Sequence, residues 1–181
     1  GAKLALKEIN AKGGVLGGKK LELVVADNKS EVAEAANAMQ KLITSDKVIA
    51  SIAPIASSSV IAGAEINQKY KVLGISPTAS NPAVTVDPKT GKTREYLFRA
   101  AFIDPFQGSV MANFASKSLN AKTAALYIEN SSDYAKGLGK FFQEQFTKNG
   151  GTIVAQEAYL QKDTDFKATL TKIKAQNPDV V

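Results

Sequence analysis

Cysteine and histidine are both absent from the 181 residues, and Arg94 and Arg99 are the only arginines. Without cysteine there are no disulfides, thiol nucleophiles or thiolate metal ligands. Without histidine the usual general base near neutral pH and the Cys/His zinc sites are gone. Two arginines leave little for bidentate base readout or stacking on nucleobases, so nucleic acid is not an expected partner. The net charge of +6 does not change this. The lysines are interleaved with acids in stretches such as Lys19 to Glu22 and Lys162 to Lys167, the pattern of a solvated surface and not of a basic block. No apolar run is long enough to span a membrane.

What remains is an ordinary globular composition, 44% hydrophobic and 22% charged. A chain of this length can hold one large or two small α/β domains. Val32, Ala35, Ala36, Met39, Leu42 and Ile43 recur at helical spacing behind Ser30, which predicts an amphipathic helix over 30–45 with Ser30 as N-cap. Residues 2–12 carry a second stripe, Ala2, Ala5, Leu6 and Ile9. Leu21–Ala26, Val48–Ala53, Val72–Ile75, Thr123–Ile128 and Thr152–Ala155 are rich in β-branched or apolar residues and read as buried strands. Helices separating apolar, non-alternating strands imply parallel sheets with helices on both faces, an α/β doubly wound plan.

A weak repeat divides the chain. Lys12-Gly13-Gly14 precedes a strand, Asp27, a helix and Val48-Ile49; Lys148-Asn149-Gly150-Gly151 precedes a strand, Asp163, a helix and Val180-Val181. The expected division is a first lobe over 1–100 and part of a second over 101–181. The run Tyr96 to Phe102 leads to Asp104-Pro105, with the crossover at 100–104, and a helix bearing Phe106, Val110 and Phe114 follows. No strand precedes the first helical stripe, and the chain stops as a strand begins, so a longer parent chain is expected.

In open parallel sheets ligands bind beyond the carboxyl ends of the strands, which singles out three loops. Ala53 to Ser59 is a strand, turn and helix start whose free amides and serine hydroxyls suit a carboxylate, or whose serines simply cap the helix. Ile75 to Pro82 offers Thr78, Ser80 and irregular backbone around Ala79 to both ends of a zwitterion, or is a plain Ser/Thr/Pro turn. Glu129 to Gly137 holds Tyr134, which could lay its ring over a ligand, or is a helix start capped by Ser132 or Asp133.

Enzyme patterns fail. Gly13 to Lys19 matches G-x-x-x-x-G-K, but Lys20 stands where a Ser or Thr would hold magnesium, and the segment precedes its strand. Glu65, Glu95, Asp104 and Glu129 cannot be paired from sequence into an acid/base couple. No catalytic residue, cofactor or metal is expected.

The ordered set Gly1-Ala2, Ile9 to Gly14, Ala56 to Ser59, Ile75 to Ser80, Phe98-Arg99 with Asp104 and Gln107-Gly108, and Ser132-Asp133-Tyr134 resembles the leucine/isoleucine/valine-binding protein family of type I periplasmic binding fold. The resemblance covers essentially the whole chain. It implies two Rossmann-like lobes that close on a free amino acid and deliver it to the membrane permease of an ABC importer. Ser57 and the backbone around Ser80, Ala79 included, would hold the ligand carboxylate. The Thr78 carbonyl and Ser80 hydroxyl would help hold its ammonium, and Tyr134 would close from the second lobe. Ala135 stands where the family has Gly. The family's acidic ammonium ligand would lie beyond residue 181, and an aromatic ligand residue before residue 1. The implied protein is an extracytoplasmic monomer, a periplasmic protein or a surface lipoprotein, whose signal and anchor lie outside this sequence. A sensing domain of a signalling protein on the same fold is the alternative.

Overall fold

The computed structural model describes residues 1–181. Two separate parallel sheets organise it, one of three strands and one of two.

The first half begins with helix α1 (Ala2–Ala11), followed by helix α2 (Val32–Thr44), strand β1 (Ala50–Ile52), helix α3 (Ser57–Tyr70), strand β2 (Leu73–Ser76) and strand β3 (Leu97–Arg99). The strands pair in the order β1-β2-β3, with Ser51, Gly74 and Leu97 in register. These three residues are buried beneath α3, where a Cβ on Gly74 would come within 3.0 Å of both Asn67 and Leu97. Glycine is thus set here by the close approach of α3 to the sheet. The next row in register, Ile52, Ile75 and Phe98, is exposed. The face of this sheet turned away from α3 is thus open in this chain. The apolar stripe of α1 likewise buries no residue.

Two expectations fail locally. Leu21–Ala26 is not a strand: no neighbouring strand pairs with it, and β propensity without a ladder partner leaves an extended chain. Asn10 holds its start, donating to the Leu21 carbonyl and accepting from its amide, both at 2.8 Å. Ser30 is not the cap of α2 either. It adopts a positive φ of 57°, outside the helix, and Glu31 takes the N-cap position.

The second half runs through helix α4 (Asp104–Asn113), extended by a π turn over Phe114–Ser118, then strand β4 (Thr123–Glu129), helix α5 (Asp133–Lys148), strand β5 (Thr152–Tyr159) and helix α6 (Lys167–Ala175). Strands β4 and β5 are parallel, and Val180 makes a further parallel bridge to Ala124 at the point where a strand was expected to begin. Helices α4 and α5 pack closely because Gly108 meets the Phe141–Phe142 backbone, where a Cβ would stand 2.7 Å from Phe141. The aromatic stripe of α4 faces the other way, with Phe106 63% and Phe114 57% exposed. Small residues, not large ones, mark the packed face of this helix.

Each half has its own core: Ala53, Val60, Ala64, Ala79, Val84 and Leu97 in the first, and Ala112, Ala115, Ala121, Ala124 and Phe146 in the second. The fold class is therefore the expected one, two α/β lobes with parallel sheets. No helix is long and apolar enough to cross a membrane.

Candidate ligand-binding site

The loop after β1 enters α3 through Ala56, the N-cap, which makes no side-chain capping bond. The serines that follow do not cap their own helix. The Ser57 hydroxyl accepts from the Asn81 amide at 3.3 Å, and the Ser58 hydroxyl accepts from the Asp133 amide at 2.9 Å. The amides of Ser57, Ser58 and Ser59 donate to no backbone or side-chain acceptor. First-turn donors of this kind carry the positive end of the helix dipole and suit an anion.

The loop after β2 lies against this one. Thr78 is exposed and donates its hydroxyl to the Ile55 carbonyl at 2.9 Å, joining the two loops. Ala79 is buried, its amide donating to the Ser76 hydroxyl at 3.1 Å. Ser80 is buried, and its carbonyl accepts from the Asp104 amide at 3.0 Å. Asn81 caps the short 3-10 turn Pro82–Val84 through the Ala83 amide and donates its side-chain amide to the Asp133 carbonyl at 2.7 Å. Far from a plain turn, the segment ties three elements together.

From the second lobe comes the start of α5. Ser132 caps it, accepting from the Ala135 amide at 3.1 Å. Asp133 meets both first-lobe loops through its backbone. Tyr134, one residue on, is turned toward α4, its phenol oxygen accepting from Gln107 at 2.9 Å. The structure thus brings Ser57, Thr78, Ala79 and Ser80 to one sheet edge and Tyr134 to its border. Ser58, Asn81, Asp133 and Gln107 were missed, because their roles rest on contacts between distant segments. Only the Asn-Pro step at Asn81 carried a local signal, for a turn cap.

Behind Ser80 lies Asp104, fully buried, with neither carboxylate oxygen in a hydrogen bond. Burial pushes its carboxyl above the ordinary range, an effect moderated by the nearby Ser80 hydroxyl and the Arg99 guanidinium. The Ser80 hydroxyl approaches the carboxylate without reaching hydrogen-bond geometry. Arg99, itself pushed down by burial, is occupied elsewhere, donating to the Asn81 carbonyl at 2.9 Å and to the Thr85 hydroxyl at 3.3 Å.

A cleft of about 440 Å³ opens beside the first loop, lined by Ile55, Ala56 and Ser59 and, from the second lobe, Gln161. Nearby, Lys162 bridges to Glu31 at 2.9 Å. No cluster of three or more acids or other metal-ligating side chains occurs. The arrangement offers amides and hydroxyls to an anion and carbonyls to a cation, with the Asp104 carboxylate fully buried behind them. Ser57 has no basic partner that would make it a nucleophile.

The sequence model for the family described as periplasmic binding protein matches residues 1–181. The chain belongs to the periplasmic binding protein family. Family members of similar sequence include an amino acid binding protein of Pseudomonas aeruginosa, 34% identical over all of this chain and 46% of its own. Among solved structures, the leucine binding protein LivK of Thermotoga maritima superposes with a TM-score of 0.88 at 36% identity, over 97% of this chain and 48% of that one. LivJ of Streptococcus pneumoniae, a branched-chain amino acid transporter substrate binding protein in complex with isoleucine, gives 0.84 at 45% identity, over 96% and 47%. A solute binding protein of Rhodopseudomonas palustris in complex with benzoate gives 0.81 at 26% identity, over 98% and 48%. This periplasmic binding protein chain spans about half the length of the curated relatives it matches. The family is one of solute-binding proteins and not of enzymes, in keeping with the absence of catalytic motifs in the sequence.

Proposed function

We propose that the longest natural chain containing this sequence captures a free amino acid, branched-chain or another small L-amino acid, and delivers it to the permease of an ABC importer outside the cytoplasm. The carrying observation is the convergence at the start of α3: three unbonded amides and the Ser57 hydroxyl, with the 78–80 loop beside them and α5 of the second lobe bonded across both. In this reading the ligand carboxylate sits on the Ser57 hydroxyl and nearby amides, and the ammonium on the Thr78 carbonyl and Ser80 hydroxyl. Burying a zwitterion is costly unless both charges are hydrogen-bonded, and these groups supply the bonds.

Tyr134 closes from the second lobe, exchanging its bond to Gln107 for contact with the ligand. The lobes divide at 100–104 and rock about this crossover; contacts from both favour the closed state. The protein acts as a monomer. The isoleucine complex of a relative supports a branched aliphatic ligand. The benzoate complex of another supports a second reading, an aromatic carboxylate on the same α3 amides.

Calorimetry of that longest chain against L-amino acids and benzoates separates the readings. Ser57→Ala and Ser80→Ala are each expected to weaken amino-acid binding by about 1.5–3 kcal/mol, the cost of a hydrogen bond to a charged group. Unchanged affinity in both variants would remove this site assignment.

A further inference from the structure

We propose that Asp104 makes the site selective for ligands that carry an ammonium group, by turning the Ser80 hydroxyl into an acceptor and placing a fixed negative charge behind it. This rests on the amino-acid reading of the site and names its selectivity residue.

The Asp104 side chain performs none of the usual tasks of a buried acid. It caps no helix, since Ile103 is the N-cap of α4 and makes no side-chain bond, and no first-turn amide donates to the Asp104 carboxylate. It forms no ion pair: Arg99 donates to Asn81 and Thr85, and Arg94 pairs with Glu65. The bond that fixes residue 104 to the first lobe comes from its backbone amide, which reaches the Ser80 carbonyl whatever the side chain is. A fully buried carboxylate with both oxygens unpartnered costs stability, and such groups persist where they act on something else.

The neighbour it acts on is Ser80. A serine hydroxyl has one hydrogen and two acceptor positions. The Asp104 charge attracts the hydroxyl hydrogen, which leaves the lone pairs for a ligand that donates. An ammonium can donate to them, whereas a ligand oxygen meets repulsion. The carboxylate adds charge of the right sign for a cation and the wrong sign for a plain acid. Gly137 strengthens this: a Cβ there would stand 2.8 Å from the Asn81 amide nitrogen and 2.9 Å from Asp104 Oδ2. Glycine therefore lets α5 seat directly on Asn81 and Asp104, and the carboxylate is out of contact with water, where charge interactions are least screened.

The test uses the longest natural chain and calorimetry with two probes: the amino acid bound tightest in the panel above, and the same molecule without its amino group, 4-methylpentanoate where the amino acid is L-leucine. Asp104→Asn, which keeps the shape, is expected to lose about tenfold or more in amino-acid affinity and none for the deaminated acid. Ser80→Ala should narrow the same ratio, and the double variant should lose no more than the worse single one. If Asp104→Asn does not fold, Asp104→Ala takes its place, and an unchanged ratio overturns the proposal. Equal losses on both probes, or none on either, also overturn it, with the amino-acid reading left standing. Failure of the unaltered chain to bind any amino acid removes that reading and this inference together.

Discussion

The two halves of the molecule bury different chemistry. Seven of the eight buried polar or charged side chains, Ser51, Ser57, Ser59, Asn67, Ser76, Ser80 and Arg94, lie in the first half, and the eighth, Asp104, opens α4 against the Ser80 carbonyl. Apart from it the second half buries Gly108, alanines, Leu126, Phe146 and Ile173. A buried polar group costs free energy unless bonded, so a core with many of them is a poor way to gain stability. Part of that cost lies at the edge where the first-half loops meet the second, at Ser57 and Ser80, while Asn67 at the other end of α3 is bonded to Ser51 and Val72. The second half is built on packing, with Phe146 as its plug and Gly151 pressed against the ring.

Breaking the plug should have the largest effect. Phe146→Ala is expected to cost about 3–5 kcal/mol by leaving a cavity among alanines that cannot collapse into it. Denaturant unfolding followed by circular dichroism measures this, and a loss as small as that of a surface change would contradict the picture of a packed second core. Asn67→Ala makes the matching test in the first half. Asn67 donates to the Val72 carbonyl at 2.9 Å and the Ser51 hydroxyl at 3.3 Å. Its removal strands buried acceptors, for an expected loss of about 1–3 kcal/mol in the same assay.

Asp104 sharpens the comparison through pH. Its carboxyl is raised above 3.8, chiefly by burial, so folding favours the protonated form. The penalty is absent below the unfolded value, grows as pH climbs to the raised folded value, and is constant above it. Asp104→Asn should therefore melt higher than the unaltered protein at neutral pH, with the gap closing as pH falls toward about 4. Melting curves that coincide across the range would mean that the ionised carboxylate carries no penalty in the fold. A variant that gains stability while losing selectivity is the expected trade at a functional group.

The smallest effect is expected at the rim. Lys162 and Glu31 are both exposed, and such pairs add little. Lys162→Ala should leave the melting temperature within measurement error. A clear drop would place part of the join between halves at this bridge, away from the Ser58, Asn81 and Asp133 bonds.

Most elements were legible because their signals are local. The stripe from Val32 to Ile43 yields α2, and the apolar runs at 48–53, 72–75, 123–128 and 152–155 yield four strands within a few residues. Leu21–Ala26 shows the limit, since composition states a preference for extended chain and only a neighbouring strand makes it a ladder. On α4 the period was right and the buried face was not, because Gly108 and Ala112 let α5 approach where Phe106 and Phe114 would hold it off. The loops bearing Ser57, Thr78 and Ser80 could be found from their place after strands. The partners of those residues could not.

Sequence alone determined the α/β class, the exclusion of thiol, histidine and zinc chemistry, and the loops at the carboxyl ends of strands, since each follows from residue type and short-range period. Tertiary structure decided the rest. The Ser58 to Asp133 bond joins residues 75 apart, and Asp104 became a buried, unpartnered charge only when Gly137 of α5 seated against it. Burial and pairing are properties of the surroundings, and in a chain that crosses between two sheets those surroundings come from segments far along the sequence.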